Sequence, residues 1–195
     1  LLDSILFMEY ILNKGLSKII VAGTCYEYGL QNGQLLEDYE PKPLNCYAYA
    51  KNCFRQILES LCKLENVELA WIRIFYPYGI DQNPNSLYPS LMRSIKMGDE
   101  FFPTSPGDQI RDFIKVEEVS KAFLSIADNP DASGIINLGS GKPISVKDFL
   151  EKIIKDNESE IKLKLGVYKR REDEPFSFWA DTSKLNKFLN SQKNI

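Results

Sequence analysis

Two short, unbroken apolar runs constrain this chain more than any other feature. One is Lys18-Ile19-Ile20-Val21-Ala22-Gly23; the other extends from Val67 to Phe75 and reads Val-Glu-Leu-Ala-Trp-Ile-Arg-Ile-Phe. A strand with one wet face alternates apolar and polar residues. A near-continuous run belongs to a strand covered on both faces, as in a parallel sheet sandwiched by helices. Before the first run, Leu1, Leu2, Ile5, Leu6, Met8 and Leu12 recur at helical spacing, and Gly15 stands where that helix would stop. Between the runs, residues 25–45 are loop-like, with Gly29, Gly33, Pro41, Pro43 and Asn45, and residues 46–64 read as a helix. Helix, strand, helix, strand in that order predicts parallel βαβ packing.

Beyond Phe75 the composition changes. Tyr76 to Asn85 is a loop, residues 86–97 read as a helix stopped by Gly98, and Phe101-Phe102 is short and extended. Ile110 to Val116 reads as a strand, Val116 to Ala127 as a helix, and Ile135 to Leu138 as a strand followed by the turn Gly139-Ser140-Gly141. Ser145 is placed to cap a helix running to about Lys155, and Asp181 or Thr182 caps a last one ending near Leu189. The expected fold is α/β. Residues 1–80 form the later half of a doubly wound, Rossmann-type parallel sheet, and residues 81–195 mainly a small mixed lobe. A segment from about 110 to 137 is expected to return to the sheet. A length of 195 residues suffices for one such domain with a core and a small lobe.

Composition excludes several chemistries. The chain has no histidine, which removes Ser-His and Cys-His nucleophile pairs and the usual His-rich zinc sites. No two of Cys25, Cys46, Cys53 and Cys62 form a C-x-x-C pair, and reduced, partly buried thiols are the expected state, ahead of a disulfide or a metal site. A net charge of −3 points to neither nucleic acid nor an anionic membrane, and no apolar stretch is long enough to span a bilayer. A cytoplasmic protein with no metal is expected.

The chemistry sits in Tyr47-Ala48-Tyr49-Ala50-Lys51. On a helix Tyr47 and Lys51 lie one turn apart on one face. A phenol ionises near pH ~10, and a neighbouring ammonium favours the phenolate. Thr24, at the end of the first apolar run, supplies a hydroxyl that can hold a substrate oxygen while Tyr47 moves its proton. In open α/β sheets ligands bind outside the carboxyl ends of the strands, and Thr24 and Phe75 both fall at such ends.

Taken alone, Tyr-x-x-x-Lys is a common spacing. The ordered set around it is not. Gly23-Thr24-Cys25-Tyr26-Glu27-Tyr28-Gly29, Tyr47 and Lys51, Arg73-Ile74-Phe75-Tyr76-Pro77-Tyr78-Gly79, Arg111-Asp112-Phe113, Asn137 to Gly141, Arg170-Arg171 and Ala180-Asp181-Thr182-Ser183-Lys184 follow in sequence. With these motifs the chain resembles the extended short-chain dehydrogenases/reductases, within them the nucleotide-sugar epimerases, dehydratases and reductases. The resemblance implies an NAD- or NADP-dependent enzyme that transfers a hydride at C4 of a nucleoside-diphosphate sugar, and a homodimer. By position it implies catalytic roles for Thr24, Tyr47 and Lys51, and cofactor contacts from Tyr47, Lys51, Phe75 and Pro77. It implies substrate contacts from Thr24, Ser86, Leu87, Arg111 and Arg171, the arginines as forks for phosphate oxygens. The implied dimer interface uses the helix before Thr24 and the Tyr47 helix, with Leu2, Met8, Phe54 and Leu58.

Departures from the family pattern narrow the reading. Cys25-Tyr26 stand where 4,6-dehydratases carry an Asp-Glu pair, which argues against dehydration. Tyr76 replaces the asparagine of the family's Arg-x-Phe-Asn motif. Pro106 to Phe113 is similar to the 4-keto-6-deoxysugar reductases, whereas Arg170-Arg171-Glu172 with Phe178 to Asp181 is similar to the 4-epimerases, so both reactions stay open. No G-x-x-G-x-x-G pyrophosphate loop occurs in the sequence. The chain is therefore expected to be an incomplete fragment of its parent, inactive by itself. A non-catalytic module binding a nucleotide-sugar or a partner is the alternative.

Overall fold

A computed structural model describes residues 1–170 and 174–190. In chain order the elements are α1 (Leu2–Leu12), β1 (Lys18–Thr24), a 3-10 turn (Cys25–Tyr28), β2 (Gly33–Leu35), α2 (Cys46–Leu64), β3 (Glu68–Ile74), β4 (Pro77–Tyr78) and α3 (Leu87–Met97). They continue with β5 (Phe101–Pro103), β6 (Ile110–Arg111), β7 (Ile114–Lys115), α4 (Val116–Asp128), β8 (Gly134–Leu138), β9 (Ile144–Ser145), α5 (Val146–Asp156), β10 (Lys162–Lys164), β11 (Phe178–Ala180) and α6 (Ser183–Asn190).

The two apolar runs are neighbours in a parallel sheet of order β1-β3-β8, with Lys18 opposite Glu68, Thr24 opposite Ile74, and Ile74 opposite Leu138. Their lack of alternation has a direct cause. Leu69 and Trp71 of β3 face one layer, where they pack with Ile19, Met8 and Leu12 of α1, and Leu58 and Cys62 of α2. Ala70 and Ile72 face the other layer, against Ile136 and Leu138 of β8, Val119, Ala122 and Ile126 of α4, and Leu185 of α6. Both faces are covered, so apolar residues fill both. Complete burial of a side chain such as Ile72 contributes about 1.5–3 kcal/mol. The lobe has a core of its own, in which Leu91 of α3, Phe102 of β5 and Phe149, Leu150 and Ile153 of α5 pack together.

Three expectations change. The loop-like stretch after Thr24 contains the 3-10 turn and β2, which pairs in parallel with β11. The strand expected over Ile110 to Val116 is two short pieces, because the Asp112 side chain between them takes hydrogen bonds from elsewhere in the fold. Met8 and Leu58, expected at a dimer interface, are buried in the chain's own core because they pack under Trp71, while Leu2, Leu6, Phe7 and Tyr10 are the exposed apolar residues of α1. All four cysteines are free thiols, Cys25 and Cys62 buried, Cys46 and Cys53 exposed. Among the described residues no helix is long and apolar enough to cross a membrane.

Candidate active site

β1 ends at Thr24, which is extended (φ −148°, ψ 145°) and caps the 3-10 turn. The Thr24 hydroxyl accepts the Tyr26 N–H at 3.3 Å, and the Glu27 carboxylate reaches back to accept the Thr24 N–H at 3.0 Å. Two orphan donors of the turn are satisfied reciprocally. Asn45 caps α2 by accepting the Ala48 N–H at 2.9 Å, which starts the helix at Cys46 and puts Tyr47 in its first turn. The Thr24 hydroxyl lies close enough to the Tyr47 phenol to favour its ionised form. One turn on, the Lys51 ammonium lies 5.9 Å from the centre of the Tyr47 ring and donates to the Ala22 carbonyl at 3.0 Å.

The Tyr47 phenol is shifted upward, not downward. Burial raises it most; the nearby Thr24 hydroxyl pulls it down, and Cys25 and Glu27 push it up. The expected lowering by Lys51 is not seen, because its ammonium is engaged at the Ala22 carbonyl rather than at the phenol oxygen. Cys25, fully desolvated beneath the site, is also pushed upward by burial and is no nucleophile.

A cavity of about 750 Å³ opens at the carboxyl ends of β1 and β3. Thr24, Tyr47, Lys51, Phe75, Pro77, Ser86, Leu87 and Arg111 all line it. Residues far apart in sequence thus share one continuous space. Arg171 lies outside the described residues. Arg111 is 1% exposed, and its fork is engaged: Nη2 meets Glu174 at 2.9 Å, Nε meets the Tyr76 hydroxyl at 3.1 Å, and Nη1 meets the carbonyls of Ile110 and Phe176. Tyr26 and Tyr76 both donate to Glu174, at 3.3 and 3.1 Å. Burial drives the Tyr76 phenol well above its ordinary range. Arg170, beside this group, pairs with Asp108. The opposite wall is aromatic, with Phe113 stacked on Phe149 at 3.7 Å and Tyr78 edge-on to Phe149 at 4.9 Å.

The family model for the NAD dependent epimerase/dehydratase family matches residues 4–139. The chain belongs to that family. It is 30% identical over 177 residues to a dTDP-6-deoxy-L-talose 4-dehydrogenase (NAD(+)) of Aggregatibacter actinomycetemcomitans, a match covering 89% of this chain and 64% of that protein. A UDP-N-acetylglucosamine 4-epimerase from Methanobrevibacter ruminantium M1, solved with UDP-N-acetylmuramic acid, superposes with a TM-score of 0.84 at 29% identity, covering 95% of this chain and 61% of that one. The structure of RMD from Pseudomonas aeruginosa complexed with NADPH superposes with a TM-score of 0.86 at 20% identity, covering 97% of this chain and 65% of that one. At that identity the likeness concerns the fold, which is the Rossmann-type α/β fold. This member of the family spans less than two thirds of the length of these relatives.

Three residues of the site escape a reading of the sequence. Tyr76 stands out there only as a departure from a motif, yet its hydroxyl touches Arg111 and Glu174. Glu174 carries no signal, because its proximity to Arg111 arises from chain segments 63 residues apart. Glu27 lies inside a family motif without a role. A carboxylate flanked by Tyr26 and Tyr28, three residues after a capping threonine, is the available clue.

Proposed function

We propose that this chain is the catalytic part of an NAD(P)-dependent enzyme that oxidises or reduces C4 of a nucleoside-diphosphate sugar, working in the reducing direction as a 4-keto-sugar reductase. The observation that carries this reading is the convergence of Thr24, Tyr47 and Lys51 on one cavity that Arg111 lines farther on, with the Lys51 ammonium beside the Tyr47 ring. The NAD(+)-dependent 4-dehydrogenase relative supports both the reaction class and the cofactor class.

When bound, the nicotinamide supplies or accepts the hydride. Lys51 fits that group: among the described residues its ammonium makes one hydrogen bond, to the Ala22 carbonyl, which leaves donors for ribose hydroxyls. Phe75 and Pro77 form the adjacent wall. An upward-shifted Tyr47 holds its proton at neutral pH and can deliver it to the C4 oxygen as the carbonyl becomes an alkoxide. Thr24 donates to the same oxygen and keeps it in line with the phenol. Arg111 and Arg171 neutralise the diphosphate, with Glu174 yielding its place on the Arg111 fork. Ser86 and Leu87 contact the nucleoside side of the ligand, and the aromatic wall of Tyr78 and Phe113 excludes water. A homodimer through the exposed apolar side of α1 belongs to the same reading.

A second reaction, 4-epimerisation, is favoured by the likeness to the 4-epimerase at 29% identity. Tyr47 then has to give up its own proton before it takes the one on the C4 hydroxyl, which it returns after the keto sugar has turned over. The test uses the full-length protein with a panel of nucleoside-diphosphate sugars and their 4-keto forms. A reductase consumes reduced nicotinamide stoichiometrically; an epimerase interconverts C4 epimers with no net change in its absorbance. Tyr47→Phe is expected to abolish turnover and leave cofactor affinity within about twofold. Unchanged turnover in that variant removes Tyr47 from the mechanism.

A further inference from the structure

Glu27 is a fully buried carboxylate where β3 meets β1 and α2, the two elements that carry the candidate catalytic groups. Its Oε1 accepts the Thr24 N–H at 3.0 Å and the Trp71 Nε1–H at 3.0 Å. Its Oε2 accepts the Arg73 Nε–H at 2.9 Å, and Arg55 Nε of α2 stands 3.9 Å away. The 3-10 turn is thereby tied to β1 through Thr24, to β3 through Trp71 and Arg73, and to α2, the helix of Tyr47 and Lys51, through Arg55. Each of these four groups is a donor. Two buried guanidinium nitrogens, Arg55 Nε and Arg73 Nη2, have no hydrogen-bond partner among the described residues, so one carboxylate holds two cations together.

That arrangement costs desolvation that an apolar core would avoid, so stability alone does not explain it. We propose that Glu27 is a positioning residue for the Thr24–Tyr47 pair: its carboxylate fixes the Thr24 backbone, and through it the point at which the Thr24 hydroxyl meets the Tyr47 phenol. This rests on the reading of Thr24 and Tyr47 given above. Only a carboxylate meets the requirement, because both of its oxygens accept. A glutamine must turn its NH2 toward either Thr24 and Trp71 or Arg73, and in each orientation a donor faces a donor.

Glu27 also acts on Tyr47 through charge. The groups that act on the phenol are Thr24, Cys25 and Glu27 from β1 and the 3-10 turn, with Lys51 beside it on its own helix. Around Glu27 itself stand Arg73 from β3, and Arg55 with its partner Glu59 from α2. Removing the Glu27 charge removes one of the groups that push the phenol up, which favours the phenolate.

The test follows the Tyr47 ring by NMR of ring-carbon-labelled tyrosine, assigned through Tyr47→Phe, and measures kcat and KM in the full-length protein. Glu27→Gln is expected to move the Tyr47 titration to lower pH and to lower kcat by about tenfold or more, with KM for the sugar nucleotide within about twofold. Glu27→Asp, which keeps the charge and both accepting oxygens on a side chain one methylene shorter, carries the test if the Glu27→Gln protein does not fold: kcat is again expected to fall with KM little changed. A purely structural Glu27 would lower the melting temperature while the Tyr47 titration and kcat stayed unchanged; that result overturns the proposal. Because the titration needs no turnover, it separates failure of this inference from failure of the reaction assignment, which Tyr47→Phe reports.

Discussion

Asp112→Asn is the sharpest test of how this fold holds its site. Asp112 is fully buried and accepts four hydrogen bonds: from Ser140 N–H at 2.7 Å and Ser140 Oγ at 2.5 Å on Oδ1, and from Gly141 N–H at 3.0 Å and Ala180 N–H at 3.1 Å on Oδ2. It therefore joins the β6–β7 strip to the turn after β8 and to β11. The neighbouring Gly139 allows this approach, since a Cβ there would stand 2.3 Å from Oδ2. An asparagine has one accepting oxygen. If it serves Ser140, its NH2 points at the Gly141 and Ala180 N–H groups and leaves both unsatisfied. Each buried, unpaired donor costs about 1–3 kcal/mol, so the expected loss is on the order of 2–6 kcal/mol. With a urea m-value of about 2 kcal/mol/M, a loss of about 3 kcal/mol lowers the unfolding midpoint by roughly 1.5 M at unchanged m. Arg111 and Phe113 flank Asp112 and line the cavity, so substrate KM should rise in the folded fraction. An Asp112→Asn protein within about 0.5 kcal/mol of wild type would refute the argument that these donors need two accepting oxygens.

Alkaline pH should weaken the fold in part through Tyr28, whose phenol burial raises to about 12 from an ordinary value near 10. A raised phenol contributes stability that is complete below pH ~10 and is lost as pH climbs toward ~12; about 1.4 kcal/mol is gone by pH ~11. Tyr28→Phe, compared with wild type by urea unfolding at pH ~9 and ~11, should show a pH-dependent loss smaller by that amount, and equal losses would remove Tyr28 as a source. Gly29→Ala should destabilise by more than about 2 kcal/mol, because φ is +68° and the added Cβ would stand 1.9 Å from the Lys42 carbonyl oxygen; a thermal melt unchanged from wild type would contradict that steric reading.

How much was legible in the sequence depends on the range of the physical signal. The buried strands were readable because a strand covered on both faces is apolar on both, and β1 and β3 are so covered. The start of α2 is likewise set locally, by the Asn45 side chain accepting the Ala48 N–H three residues on. Lys162 and Lys164 are exposed. Leu163 between them packs into the lobe core, so the segment is a strand beside β5. A single inward residue is too weak a period to announce a strand of three.

The site divides the same way. Identity and local spacing are written along the chain: Thr24 at a strand end, Tyr47 and Lys51 one helical turn apart, and an arginine at position 111. Backbone geometry sets those relations within a few residues. What each group faces is a matter of packing in three dimensions. Packing turned the Lys51 ammonium to the Ala22 carbonyl, seated Arg111 against Glu174 and Tyr76, and enclosed Glu27 between two arginines and a tryptophan. Charge and burial act through space. The groups that shift the Tyr47 phenol are therefore chosen by the way β1, β3 and α2 come together, and not by the residues beside Tyr47 in the chain.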